Sequence, residues 1–216
     1  MNPHLVETLD NENFQTAVAF LTAQDPVLDG VVQVYGAPEL LDRPAGFSTL
    51  VYTILEQQVS LASAKATFAK LTVRLPDLSP ESLLSLSDSE MSAIGFSRQK
   101  ARYTRLLADA IISGDLDLPG LEAKTDAEVY MDLTGLKGIG PWTANIYLLS
   151  ALKRPNIWPA GDLALQVSFQ ELYKLDERPG TDEFESFGDR WKPFRAVAAR
   201  ILWQYYLSSN RNTEKR

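Results

Sequence analysis

Two short segments of the chain contain residues whose types and spacing could do chemistry. In the first, Gly138-Ile139-Gly140 is followed by Pro141. Glycine permits positive φ and close backbone approach, and proline is tolerated in the first turn of a helix, so the pattern predicts a hairpin whose exposed amides bind one phosphate. In the second, an isolated carboxylate, Asp162, follows Pro159-Ala160-Gly161. A phosphate grip followed by a carboxylate suggests chemistry on a nucleotide of DNA.

Each segment also has an ordinary structural explanation. A Gly-x-Gly sequence is often only a glycine-capped corner between two helices. An aspartate just before the apolar Leu163 and Leu165 is typical of a helix N-cap, whose oxygen accepts a backbone amide proton. Capping and catalysis are compatible roles for Asp162. The Pro-Ala-Gly-Asp sequence that opens the helix at Asp162 is absent at the competing aspartates, which are Asp132, Asp176 and Asp189.

The elements that must position these residues are predicted to be helices. Apolar residues recur at helical spacing in three stripes, and Gly, Pro, Ser and Asp punctuate the chain at short intervals. The stripes are Phe47, Leu50, Val51, Ile54 and Leu55; Tyr103, Leu106, Leu107, Ala110 and Ile111; and Phe194, Val197, Ala198, Ile201, Leu202 and Tyr205. We therefore expect an all-α fold. The β-branched segment 27–35 leaves a strand open as an alternative to a helix that begins at Asp25-Pro26.

The hairpin unit is predicted to span residues 127–151. A short helix over 127–133 precedes the glycines, and Ile139 packs between this helix and the next one. Upstream, Ser97 predicts an N-cap for a basic amphipathic helix over 98–112. The basic side chains of that helix favour a solvated face over a DNA contact, and they are Arg98, Lys100, Arg102 and Arg105.

Composition limits the class of protein. The chain of 216 residues is 45% hydrophobic, which is enough for a substantial core. Its net charge of −7 argues against nonspecific coating of nucleic acid, yet it allows a small DNA footprint. The absence of cysteine excludes disulfides and cysteine-held clusters, and the single histidine, His4, cannot anchor a histidine metal site. No stretch approaches the ~20 apolar residues of a membrane span, so we expect a soluble, cytoplasmic protein.

Several segments, in chain order, resemble one family. They are Ile54-Leu55-Glu56-Gln57-Gln58-Val59-Ser60, Ile94-Gly95-Phe96-Ser97, Gly138-Ile139-Gly140-Pro141-Trp142-Thr143-Ala144-Asn145, Pro159-Ala160-Gly161-Asp162 and Trp191-Lys192-Pro193-Phe194-Arg195. With them, residues 47–206 resemble the helix-hairpin-helix DNA glycosylase superfamily, and within it the alkylpurine branch of the 3-methyladenine DNA glycosylase II type. The resemblance implies a two-lobed helical fold with DNA and the active site in the cleft between the lobes. We expect an N-terminal helical segment over 1–45 packing on a glycosylase core over 46–207, and a flexible tail over 208–216.

The resemblance gives the catalytic role to Asp162. Breaking an N-glycosidic bond leaves positive charge on the sugar, and a nearby carboxylate stabilises that state or orients the attacking water. Relatives with coupled lyase activity carry a Schiff-base lysine where Trp142 stands here, so the resemblance implies a monofunctional enzyme that leaves an abasic site. Damaged double-stranded DNA is the expected partner, and a monomer is the expected form.

The resemblance also implies contacts to the base, the DNA and an ion. The aromatic residues expected to bind the extruded base are Trp142, Trp203 and Tyr147, with core packing as the alternative. The residues expected to contact DNA are the wedge candidates Gln58 and Val59, which would fill the gap left by the flipped nucleotide, and Lys137, Gly138, Gly140 and Thr143 at the hairpin. No cofactor is required, although the backbone carbonyls of Leu136 and Gly138 could hold a structural Na⁺ or K⁺.

Two other functions stay open at this point. One is a glycosylase for oxidised, deaminated or mismatched bases, which a substrate panel would distinguish. The other is a noncatalytic helix-hairpin-helix module that only binds DNA or a protein, and the position of Asp162 argues against it. For a DNA-repair enzyme, the expected location is the nucleoid of a prokaryote or the nucleus of a eukaryote.

Overall fold

The computed structural model describes residues 7–213, so His4 lies outside the described residues. Within this range the chain forms helices and no strand, which confirms the all-α prediction. The α-helices are α1 Asn11–Gln24, α2 Pro26–Tyr35, α3 Phe47–Glu56, α4 Leu61–Arg74, α5 Pro80–Leu84, α6 Asp88–Ile94, α7 Arg98–Ser113, α8 Asp126–Thr134, α9 Pro141–Ser150, α10 Leu163–Tyr173, α11 Thr181–Gly188 and α12 Arg195–Thr213, with short 3-10 helices at Pro119–Ala123 and Asp189–Trp191. None of these helices is both long enough and apolar enough to cross a membrane.

Among the described residues, one compact unit contains residues 7–42 and 153–213. Its central element is α12, which packs against α1, α2 and α10. The predicted apolar stripe of α12 is buried, since Val197, Ala198, Ile201 and Leu202 have no accessible surface. Burial of each of the larger apolar side chains stabilises the fold by about 1.5–3 kcal/mol.

Asp25 joins several elements of this unit. One carboxylate oxygen caps the first turn of α2, while the other accepts the Tyr173 hydroxyl at 2.6 Å and the Trp191 indole N–H at 3.0 Å. Because this cap precedes a proline in the first turn, residues 27–35 form a helix. The strand considered for that segment is therefore wrong.

The other compact unit contains residues 43–152. Its central helix is α3, which packs against α4, α7 and α9, while α8 packs on α9 and α5 on α7. Near the end of α3, Glu56 accepts two hydrogen bonds of 2.8 Å from the Arg43 guanidinium. This bidentate pair, together with the full burial of Leu50 and Ile54, fixes the α3 end from which the chain enters a turn.

Among the described residues, 7–42 group with 153–213, and residues 43–152 form the other unit. The division into an N-terminal segment over 1–45, a core over 46–207 and a tail over 208–216 stays a prediction. Long-range bonds account for this grouping: the Leu9 amide donates to the Lys153 carbonyl at 2.8 Å, and the Gln204 side chain donates to the Tyr35 carbonyl at 3.0 Å. Since α12 ends at Thr213, residues 208–213 of the predicted tail are helical.

Candidate active site and nucleic-acid interface

A tight loop delivers Asp162 to the start of α10. The Ala160 amide donates to the Trp158 carbonyl at 3.0 Å, and the Asp162 amide donates to the Pro159 carbonyl at 2.9 Å. From within α10, the Gln166 side chain donates to the Ala160 carbonyl at 2.8 Å. These bonds close the loop on itself, so the position of the carboxylate is set by backbone geometry.

The Asp162 carboxylate is largely buried and held from two directions. Its Oδ1 accepts the Leu165 amide at 3.0 Å, which is the expected N-cap bond of α10. The same oxygen accepts the Trp203 indole N–H at 3.1 Å. With only 9% of the residue exposed, water screens this anion weakly, so its field acts strongly on a positive charge that develops nearby.

Trp203 therefore has a role that the sequence pattern did not indicate. It is half-buried on α12, and its polar edge is directed at the carboxylate. The two residues are 41 positions apart, so no local pattern connects them. The prediction that the Trp203 ring stacks on a base stays a prediction, now with the N–H edge fixed on Asp162.

The loop before Asp162 rests on a buried aromatic cluster. The Trp158 indole N–H donates to the Phe184 carbonyl at 3.0 Å, and its ring packs against Phe184 and Trp191 with centroid separations of 4.8 and 5.1 Å. A β-carbon at Gly188 would lie only 2.7 Å from the Trp158 ring. This close packing stabilises the base of the loop.

The predicted hairpin is present between α8 and α9. Gly138 has a φ of 103°, a left-handed conformation that favours glycine, and a β-carbon there would overlap the Tyr103 ring of α7. Ile139 is buried, as expected for a residue between the two helices. Gly140 is the N-cap of α9 with a φ of −93°, and Pro141 follows in the first turn. Gly140 and Lys137 are exposed. They lie near the first-turn amides of α9, which have no acceptor within the helix.

Two residues assigned to binding are instead part of the interior. The Thr143 side chain is buried, and its hydroxyl accepts the Gln57 side-chain amide at 2.9 Å, so only its backbone amide remains a candidate for DNA contact. Tyr147 is fully buried, and its hydroxyl accepts the Gly46 amide at 3.0 Å. Burial raises the pKa of the Tyr147 hydroxyl, which keeps it protonated. Contrary to the prediction, Tyr147 is a core residue, whereas Trp142 is half-buried.

The corner formed by residues 57–60, between α3 and α4, presents both wedge candidates to solvent. Gln58 is exposed and has a φ of 54°, a left-handed conformation that is uncommon for a residue with a β-carbon. Val59 is 43% exposed, and Leu61 beside it is another exposed apolar side chain that the sequence analysis did not single out. Local strain of this kind often accompanies a functional position.

A family of known proteins matches residues 51–193 of the chain. Its description is the HhH-GPD superfamily base excision DNA repair protein. The chain belongs to this superfamily. The matched residues include the corner, the hairpin and Asp162, which confirms the relationship that the sequence motifs indicated. Trp203 lies beyond the match, so the family pattern does not assign its bond to Asp162.

Individual relatives extend this result. DNA-3-methyladenine glycosylase 1 of Schizosaccharomyces pombe is 27% identical over 213 residues, which cover 91% of this chain and 92% of that protein. YfjP of Bacillus subtilis is 28% identical over 177 residues, but the match spans only 61% of its length and 78% of this chain. The structure of S. pombe 3-methyladenine DNA glycosylase (Mag1) in complex with abasic DNA superposes with a TM-score of 0.82 at 26% identity, covering 88% of this chain and 95% of that one.

In this HhH-GPD protein, half of the basic run on α7 is engaged internally. Lys100 donates to the Leu55 carbonyl at the end of α3 at 2.7 Å, and burial lowers the pKa of its ammonium group. Arg105 donates to the Leu86 carbonyl at 2.7 Å. Arg98 and Arg102 are exposed, in keeping with the solvated face expected from sequence.

The hairpin carbonyls proposed as ion ligands each accept one hydrogen bond. The Leu136 oxygen accepts the Ile139 amide at 3.1 Å, and the Gly138 oxygen accepts the Gln57 side-chain amide at 2.9 Å. Each oxygen keeps a second lone pair. A Na⁺ or K⁺ ion shared by Leu136 and Gly138 stays a prediction.

Proposed function

We propose that this HhH-GPD protein is a monofunctional DNA glycosylase that removes alkylated purines, such as 3-methyladenine and other N3- or N7-alkylated bases. The observation that carries the proposal is the Asp162 carboxylate, held by the α10 cap and by Trp203 in a mostly buried setting. The names of the relatives support this substrate class. The protein would act as a monomer on damaged double-stranded DNA, in the nucleoid or nucleus.

The reaction needs an anion more than it needs an acid. An alkylated purine is cationic, so when the bond between C1′ and the base nitrogen breaks, the bonding electrons neutralise the leaving base. The sugar then carries the positive charge, and the Asp162 carboxylate stabilises it. Water adds to C1′ and loses a proton to Asp162 or to solvent. The products are a free base and an abasic site.

The hairpin and the corner would hold the DNA. The first-turn amides of α9, with Gly138, Gly140 and Lys137 around them, suit one phosphate of the backbone. Gln58 or Val59 would fill the space that the extruded nucleotide leaves. Trp142 would stack on the cationic base, and its presence where lyases carry lysine gives no amine for a Schiff base.

Base-release chromatography on methylated duplex DNA tests the proposal. We expect free 3-methyladenine from the parental protein and none from Asp162→Asn. Borohydride added during the reaction should trap no covalent complex with DNA. Release of only oxidised, deaminated or mismatched bases from a panel would move the assignment to that class of glycosylase, and duplex binding without any release would indicate a noncatalytic module.

The Trp203 N–H is expected to contribute to the rate. Trp203→Phe keeps an aromatic ring but removes the hydrogen bond to Asp162, and a bond to a charged group contributes about 1.5–3 kcal/mol. We therefore expect the single-turnover rate of base release to fall about tenfold or more. The matched control is Trp191→Phe, which removes an indole bond to the Asp25 carboxylate in the same unit. A parental rate for Trp203→Phe would show that the Trp203 bond has no part in catalysis.

The strained corner gives a prediction that separates stability from activity. Gln58→Gly should raise the free energy of unfolding by about 0.5–1 kcal/mol, because glycine adopts the left-handed conformation without the strain of a β-carbon. The same change should lower base release from duplex DNA by removing a wedge side chain. Lys174→Gly is the control, since Lys174 has a φ of 55° at the end of α10. Urea denaturation should show a gain in stability for both variants. A loss of base release in both variants would contradict the wedge role.

A further inference from the structure

One side chain connects the corner to the hairpin. The Gln57 amide nitrogen donates to the Gly138 carbonyl at 2.9 Å and to the Thr143 hydroxyl at 2.9 Å. The first acceptor lies in the glycine turn, and the second lies in the first turn of α9. Both N–H groups of this amide are thus used on the two halves of the candidate phosphate grip.

The backbone that carries Gln57 is itself fixed. Gln57 is the C-cap of α3, and the preceding Glu56 is held by Arg43 through two bonds of 2.8 Å. Lys100 from α7 donates to the Leu55 carbonyl one residue earlier. A rigid helix end therefore anchors the amide, and one glutamine side chain bridges the corner and the hairpin.

The next residue along the chain is the exposed, left-handed Gln58. A shift of the hairpin relative to α3 would change the spacing between the candidate wedge and the amides of α9. We propose that Gln57 is a positioning residue that fixes this spacing, so that gripping a backbone phosphate and filling the gap left by an extruded base occur together. This inference rests on the proposed glycosylase function and adds a residue that acts only through the DNA-contacting groups.

A positioning role and a purely structural role of Gln57 would differ in their effects on duplex and single-stranded DNA. A lesion in duplex DNA must be extruded from the base stack, whereas a lesion in single-stranded DNA leaves no paired gap to fill. Gln57→Met keeps the side-chain length but removes both donors. We expect it to lower the rate of base release from methylated duplex DNA by about tenfold, and from the same strand unpaired by less than about twofold.

A variant of the acceptor tests the same contact. Thr143→Val removes the hydroxyl but keeps the shape of the side chain, and it should show a smaller selective loss on duplex DNA than Gln57→Met. Gln33→Met, at an exposed position of α2, is the matched control for the glutamine change. Thermal unfolding of each variant reports any loss of fold.

The outcomes separate this inference from the proposed function. If the parental protein released no base from either substrate, the glycosylase function would be wrong. If Gln57→Met lowered both rates equally, or neither, while the parental protein was active, Gln57 would not be a positioning residue. A selective loss on duplex DNA for Gln57→Met, with Gln33→Met at the parental rates, supports the coupling.

Discussion

Asp162→Asn is expected to abolish base release, with a fall of about three orders of magnitude or more in the single-turnover rate on methylated duplex DNA. Asparagine keeps an oxygen that can accept both the Leu165 amide and the Trp203 N–H. The helix cap and the contact to α12 are therefore preserved, and only the negative charge is lost. Affinity for duplex DNA, measured by fluorescence anisotropy, should stay within about threefold, because the phosphate grip is built from other residues.

Two further variants separate charge from structure in this prediction. Asp162→Ala also removes the cap, so it should lose about 1 kcal/mol of stability in addition to activity, whereas Asp162→Asn should not. Asp176→Asn is the matched control, because Asp176 is exposed and does not open a helix. Base release by Asp162→Asn at the parental rate would show that another group stabilises the sugar cation.

Sequence reasoning predicted those features that depend on neighbouring residues. The cap at Asp162, the first-turn proline of α9 and the left-handed Gly138 are each specified by a few adjacent residues. The cap at Ser97 likewise predicted the start of α7. Such signals are local, so they could be read without knowledge of the packing.

Contacts that depend on packing could not be predicted from the sequence. Nearly every residue of α9 after Trp142 is buried, so its sequence contains no polar face to distinguish pocket residues from core residues such as Thr143 and Tyr147. The bond from Trp203 to Asp162 depends on how α12 packs against α10. The grouping of residues 7–42 with the C-terminal part depends on similar long-range contacts.

The contacts of Gln57 could not be predicted from the sequence. Gln57 and Gln58 are adjacent and identical, so no local pattern distinguishes them. The backbone conformation separates them, because Gln58 adopts a φ of 54° and is exposed, while the Gln57 amide is directed at the hairpin. A single change of backbone direction thus gives neighbouring, identical side chains different surroundings.

Even a methyl group at Gly138 should destabilise the hairpin. Gly138→Ala combines a φ of 103° with overlap of the new β-carbon and the Tyr103 ring, so we expect it to lower the free energy of unfolding by about 3 kcal/mol or more. Gly140→Ala is the matched control: it has a φ of −93° and no atom within 4 Å of an added β-carbon, and it should lose less than about 1 kcal/mol. Urea denaturation measures both. Equal losses would contradict this explanation of why glycine is needed.

The variant Tyr103→Ala separates the two causes of that loss, which are the backbone strain at Gly138 and the overlap with the Tyr103 ring. In Tyr103→Ala the ring is absent, so Gly138→Ala added to it would suffer only the conformational strain, and its incremental loss should fall to about 1–2 kcal/mol. Because the Gly138 carbonyl also accepts the Gln57 amide, the same alanine should displace the hairpin from the corner. We therefore expect duplex affinity to fall more in Gly138→Ala than in Gly140→Ala at temperatures where both are folded, which would connect the glycine requirement to DNA binding as well as to stability.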